Sequence, residues 1–125
     1  MCLNAIVKKI KKPTRRVKVG WKVFRRNWRG DLFPEVMLSH YGYDIGVWNV
    51  RDGYQEILVT GGRVYERGFH VFVDKNAATC WRGRSGDLVV RKVYVRLVRT
   101  VGSQCGYECF EIRMLRLVGD VGLGI

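Results

Sequence analysis

The sequence predicts an α+β domain: a twisted, mostly antiparallel sheet carrying one or two short helices. Three observations predict it. Several segments alternate apolar and polar side chains with a period of two, Gly-containing turns separate them, and only two short stretches show helical spacing. At 125 residues and 47% hydrophobic composition the chain fits one domain with a modest core of its own. The expected division is a basic N-terminal segment over residues 1–15, a single domain over 16–118 and a Gly-rich tail over 119–125.

Leu3, Ile6, Val7 and Ile10 follow the i, i+3, i+4, i+7 pattern, with Lys8, Lys9, Lys11 and Lys12 on the other positions, before Pro13 ends the run. That spacing predicts a short basic amphipathic helix. Its apolar stripe is suited to docking on the body, to meeting a partner protein or to lying on an anionic membrane. Docking is the preferred reading, because the stripe carries no Trp or Phe.

From Arg16 the period changes to two. Val17, Val19, Trp21 and Val23 alternate with Lys18, Gly20, Lys22 and Phe24, which predicts a strand whose apolar face holds the valines and Trp21. Arg25 to Asp31 reads as a turn, followed by Leu32-Phe33-Pro34. Between Glu35 and Gly53, Tyr41-Gly42-Tyr43 and Gly46-Val47-Trp48 suit a loop or short strands near a ligand cleft as well as ordinary irregular packing.

Tyr54 to Thr60 reads as a strand, and Gly61-Gly62 turns it into Arg63-Val64-Tyr65. Phe69, Val71 and Val73 alternate with His70 and Phe72 as a further strand. Asp74 is placed to cap a short helix containing Ala77, Ala78, Cys80 and Trp81. After the loop Arg82 to Gly86, a long strand runs from Leu88 to Val98, with Val93, Val95 and Leu97 on one side and Lys92, Tyr94 and Arg96 on the other. The last strand spans Tyr107 to Leu117. At Leu115 its apolar parity shifts, which implies a bulge or an end buried on both sides.

The formal net charge is +12, and its distribution is uneven. Residues 1–30 hold eleven basic side chains and no acid, whereas residues 31–125 hold twelve basic and eleven acidic ones. Such asymmetry argues for a polyanionic partner, nucleotide or nucleic acid, and says nothing about fold. The N-terminal apolar residues are soon interrupted by Lys8 and Lys9, so neither a signal peptide nor a membrane span is expected, and a cytoplasmic setting with reduced thiols follows. Cys105-Gly106-Tyr107-Glu108-Cys109 with Cys80 and His40 or His70 contains zinc-type ligands but lacks the second spaced pair of structural zinc sites. No metal or other cofactor is expected.

Two basic regions nominate contact residues. In the first, Lys18, Lys22, Arg25, Arg26 and Arg29 interleave with Trp21, Phe24 and Trp28, an arrangement in which cations meet phosphates and rings stack on bases. Trp21 shares parity with the valines and reads as core, whereas Trp28 lies in a turn between Arg26 and Arg29 and is a ligand candidate. In the second, Arg82, Arg84, Arg91, Lys92, Arg96 and Arg99 are opposed only by Asp87, and Lys92 and Arg96 flank Tyr94 on one strand face. Arg82 and Arg84 bracket a Gly-containing loop, and Tyr41 is expected near the same ligand. The bland alternative for each is a solvated outer face. His70 reads as a structural histidine, since no partner for catalysis is evident, and no Walker loop or nucleophile elbow occurs.

The run Gly20-Trp21-Lys22-Val23-Phe24-Arg25, then Gly68-Phe69-His70-Val71-Phe72, an Ala-containing helix ending in Trp81, and Val89-Val90-Arg91-Lys92-Val93-Tyr94-Val95 resembles small accessory proteins of bacterial viruses. The resemblance is one of layout, over roughly residues 20–118. It implies an inhibitor of host defence acting in the host cytoplasm. Relatives of that kind bind nucleic acid, nucleotide second messengers or CRISPR complexes. The segment from Gly68 to Tyr94 is also faintly similar to ADP-ribosyltransferase-like domains, which would assign roles to His40-Tyr41 and to Glu108 or Glu111. No Glu-x-Glu or Gln-x-Glu pair occurs, which puts that activity in doubt. The expected function is therefore non-enzymatic capture of a phosphate-rich ligand. The alternative is an inhibitor that occupies the nucleic-acid channel of a host complex.

Overall fold

The computed structural model describes residues 3–34, 43–44, 46–50, 56–59, 61–66, 68–84 and 86–117. Tyr41, His40 and the tail over 119–125 lie outside the described residues. Within them the chain forms nine strands and one helix. In order these are β1 (Ala5–Lys9), β2 (Lys18–Arg26), β3 (Leu32–Pro34), β4 (Trp48–Val50), β5 (Glu56–Leu58), β6 (Val64–Glu66), β7 (Phe69–Phe72), α1 (Lys75–Arg82), β8 (Leu88–Gln104) and β9 (Tyr107–Leu117). The α+β expectation is thereby corrected: this is a β-sheet fold with a single eight-residue helix.

The expected N-terminal helix is a strand. β1 pairs antiparallel with the far part of β8, from Ala5↔Ser103 to Lys9↔Thr100. Leu3 is buried ahead of β1 and Ile6 within it. A register shift between Ile6 and Lys8 leaves Val7 69% exposed. The spacing that imitates a helix thus comes from a bend at Asn4 and a bulge at Val7. Long-range bonds fix this segment: Asn4 Oδ1 accepts from the Cys105 N–H (2.6 Å), and the Leu3 N–H donates to the Tyr65 hydroxyl (3.0 Å). An edge that satisfies a whole row of backbone groups outweighs a weak local helix preference.

β2 takes the next stretch of the same β8 edge, from Lys18↔Val95 to Arg25↔Leu88. Between the two strands, the Leu97 N–H donates to the Thr14 carbonyl (3.0 Å) and the Ile10 N–H to the Arg99 carbonyl (2.8 Å). β9 pairs with the opposite edge of β8 from Val93↔Leu117 to Gln104↔Tyr107, and β7 links β9 to β2 through Phe69↔Ile112 and Trp21↔Phe72. The hydrogen-bonded path β8–β2–β7–β9 therefore returns to β8, and the long strands close a small ring. β3 extends β2, β4 extends β9, and β5–β6 is a separate hairpin around the expected Gly61-Gly62 turn.

Apolar side chains from every ring strand, including Phe24, Phe69, Val71, Val93, Val95, Ile112 and Leu115, form one buried cluster inside the ring. A second cluster lies outside the wall, where Val23, Phe72 and Cys109 are covered by Ala77 and Ala78 of α1, by Tyr65 and Val59, and by Leu3 and Ile6. Two packed layers sharing one wall explain why all four residues of β7 are buried.

The helix is where the sequence puts it. Asp74 caps it, its carboxylate accepting from the Asn76 N–H at 3.3 Å. β8 is longer than expected and changes parity inside: Val93 and Val95 are buried, then Val98, Thr100, Gly102 and Gln104. Leu97, expected beside Val93 and Val95, is instead half-buried at a positive φ of 56°, with a register shift between Val98 and Thr100. This kink lets one strand serve two neighbours in turn along one edge. The β8–β9 turn is Cys105-Gly106, both at positive φ (51° and 85°), as a type I′ hairpin needs. Gly106→Ala is expected to lower stability by about 1 kcal/mol, measured by urea denaturation, because alanine disfavours the left-handed region.

Candidate nucleic-acid interface

Directly opposed residues on paired strands share a face of the sheet. Trp48↔Arg116, Arg116↔Tyr94 and Tyr94↔Val19 therefore make one row across β4, β9, β8 and β2. The next row is Val50–Met114–Arg96. On the other side of the first row, Lys92 faces Trp21. Because Val93 and Val95 fill the ring interior, these alternate positions point outward. Val19 and Val50 are 43% and 51% exposed, Lys92 and Arg116 are exposed, and Trp21, Trp48, Tyr94, Arg96 and Met114 are half-buried.

Each ring on this face has a cation against it. The Arg96 guanidinium lies 4.3 Å from the Trp48 ring centroid, the Lys92 ammonium 5.9 Å from that of Tyr94, and the Lys75 ammonium 5.3 Å from that of Trp21. Arg15 reaches the same surface, its guanidinium donating to the Met114 sulfur at 3.7 Å. None of the residues in these rows is acidic. The result is an open sheet surface of rings, valines and cations. Rings stack on unpaired bases, a guanidinium plane over Trp48 extends the stacking area, and the cations meet phosphates.

Of the residues the sequence nominated, Lys92, Tyr94 and Arg96 come together here. Trp21, read as core, packs partly buried against the outer cluster and borders them; its strand buries both sets in part, Gly20, Lys22 and Phe24 on the ring side and Val23 under α1, while Val17 and Val19 are exposed. Gly20 explains part of this, since a Cβ there would run into Val71. Trp48, Arg116 and Met114 were not foreseen. Their only signal was an unassigned aromatic after Gly46 and the even parity of the last strand.

The remaining candidates sit elsewhere. Lys22 is only 6% exposed, its ammonium donating to the His70 carbonyl at 2.8 Å, so it faces the interior. Lys18 is exposed near Phe110, its ammonium 5.7 Å from the ring. Arg25 pairs with Asp87. Arg26 ends β2, paired with Leu32, and Trp28 and Arg29 occupy the β2–β3 turn. There the Asn27 side chain accepts from the N–H groups of Arg29 and Asp31 (2.9 Å each), and Trp28 is 87% exposed with the Arg29 guanidinium 4.8 Å from its ring. Arg82 and Arg84 lie at the end of α1 and beyond it.

His70 acquires the partner that the sequence alone did not supply. The register sets it opposite Glu111, and its Nδ1 lies 2.7 Å from Glu111 Oε2, with both side chains in the interior. Glu111 Oε1 also accepts from the Gly68 N–H at 3.2 Å, so the carboxylate is engaged within the wall. Burial, with Glu111 nearby, pushes the Cys109 thiol up to about 12 and keeps it protonated and inert. A hydrogen bond with Cys80 raises the Tyr107 hydroxyl. Among the described residues no three His, Cys, Asp or Glu side chains converge as metal ligands, and no helix is long and apolar enough to cross a membrane.

Comparison with protein families, with curated proteins and with solved structures finds no match. The reading of this face therefore rests on its own chemistry.

Proposed function

We propose that the chain is a binding protein for single-stranded nucleic acid, which lies across the β4–β9–β8–β2 face. The observation that carries this reading is the alternation of Trp48, Tyr94 and Trp21 with Arg96, Arg116, Lys92 and Lys75, in cross-strand rows that hold no carboxylate among the described residues. Stacking requires unpaired bases, so a duplex meets only the cations. An open face also suits an extended strand better than an isolated nucleotide, which is held best in a concave pocket. In a bacterial-virus setting, as the resemblance implies, the same face would withhold nucleic acid from a host defence.

The test is fluorescence anisotropy with a labelled oligothymidylate across a salt series. A log–log slope of about −3 is expected, each neutralised phosphate of a single strand contributing about −0.7. A duplex of equal length is expected to bind more weakly at every salt concentration. No binding at low salt, or equal affinity for duplex and single strand, would overturn the reading.

A further inference from the structure

Beside the face, α1 and β8 enclose a groove of about 370 Å³, lined by Lys75, Thr79, Arg82, Val89, Val90 and Arg91. Lys75 and Arg82 of α1 supply its cations and Val90 its apolar part, with no acid among the described lining residues, whereas Val89 and Arg91 alternate with Val90 and turn their side chains toward the ring. The Arg82 Nε is shielded from solvent and has no hydrogen-bond partner among the described residues. Thr79 is tied down, its hydroxyl donating to the Lys75 carbonyl at 2.9 Å. A buried guanidinium N–H without an acceptor is costly unless something accepts from it. The groove is also continuous with the face, since Lys75 lines it while its ammonium lies against Trp21. Along β8, Val90, Lys92 and Tyr94 follow one another on the same side at two-residue steps of about 6.7 Å.

The geometry points to a phosphomonoester site in this groove: Arg82 and Lys75 hold the doubly charged phosphate of a nucleotide, and Val90 packs against its sugar or base. A terminal phosphate differs from the internal diesters on the face in charge and in free oxygens, and a guanidinium fork bonds two of those oxygens at once. The assignment rests on the face as a track for single strands. It adds that a strand is read from its phosphorylated end.

Short oligothymidylates with an internal label and a 5′-phosphate, a 3′-phosphate or no terminal phosphate test it. One of the two phosphorylated strands is expected to bind about ten-fold tighter than the unphosphorylated one, the gain of a charge-assisted bond pair. Arg82→Gln should abolish that advantage and leave the unphosphorylated strand's affinity and the thermal midpoint unchanged; Lys75→Met should reduce it. Equal affinity for all three strands, or an advantage that Arg82→Gln leaves intact, overturns the phosphate site while the face stands. Thymidine monophosphate separates the sources. If it binds in an Arg82-dependent way while no strand binds, the groove is right with a free nucleotide as its ligand, and the single-strand face is wrong.

Discussion

Replacing Trp48 and Tyr94 together with alanine is expected to weaken binding of a single-stranded oligonucleotide about a hundred-fold, because each ring stacked on a base contributes about 1–3 kcal/mol. The two rings lie in one cross-strand row with Arg116 between them, two strand spacings or about 9.6 Å apart. At that distance they serve different bases, and the two losses should add. Tyr94→Phe keeps the ring and should retain affinity within about two-fold, since no base edge need be read by the hydroxyl. Both rings are half-buried on an outer surface, so the double variant should keep the far-UV circular dichroism of the parent. Loss of less than about three-fold in the double variant would mean that the cations alone make the contact.

The largest loss of stability is expected at Glu111. Its side chain is 1% exposed, and it meets both the His70 ring and the Gly68 N–H from the middle of β9. Glu111→Ala leaves the His70 Nδ1 and a backbone donor without an acceptor in the wall between the two apolar clusters. His70 Nε2 is already buried without a partner, so the ring would lose its only hydrogen bond among the described residues. Leaving these two donors without an acceptor costs about 1–3 kcal/mol each, a large part of the 5–15 kcal/mol typical of a domain. Glu111→Gln keeps the shape and one acceptor, and should lose about 1–2 kcal/mol. Urea denaturation reads both: the midpoint should fall with an unchanged slope. A Glu111→Ala midpoint close to the parent's would show that water or a shift of β7 replaces the carboxylate.

Residues whose neighbours are close in the chain were legible. Asp74 before Lys75 to Arg82 set the helix, Gly61-Gly62 set the β5–β6 hairpin, and the alternation from Tyr107 placed β9 with its parity change near Leu115. Lys92, Tyr94 and Arg96 were also readable as one outward edge, because valines between them fixed the inward side. Where the parity was ambiguous, the reading held only in part: Val23 is buried and Trp21 packs against the outer cluster, but Val17 and Val19 are exposed. In β2 both alternating sets contain apolar residues. Sequence favoured the four-member set with Trp21, yet the ring encloses the set with Gly20 and Phe24 and takes Lys22 with it.

What the sequence determined by itself was therefore local: the turns, the cap, the strand segments, the excess of cations and the group Lys92, Tyr94 and Arg96. The tertiary structure alone decided that residues 5–9 are a strand, that His70 meets Glu111, and that Trp48 and Arg116 join Tyr94 in one row. The physical reason is the same in each case. Strand pairing joins residues far apart in the chain through backbone bonds that carry no side-chain signature, and one bulge or kink, as at Val7 or Leu97, moves every later side chain to the opposite face.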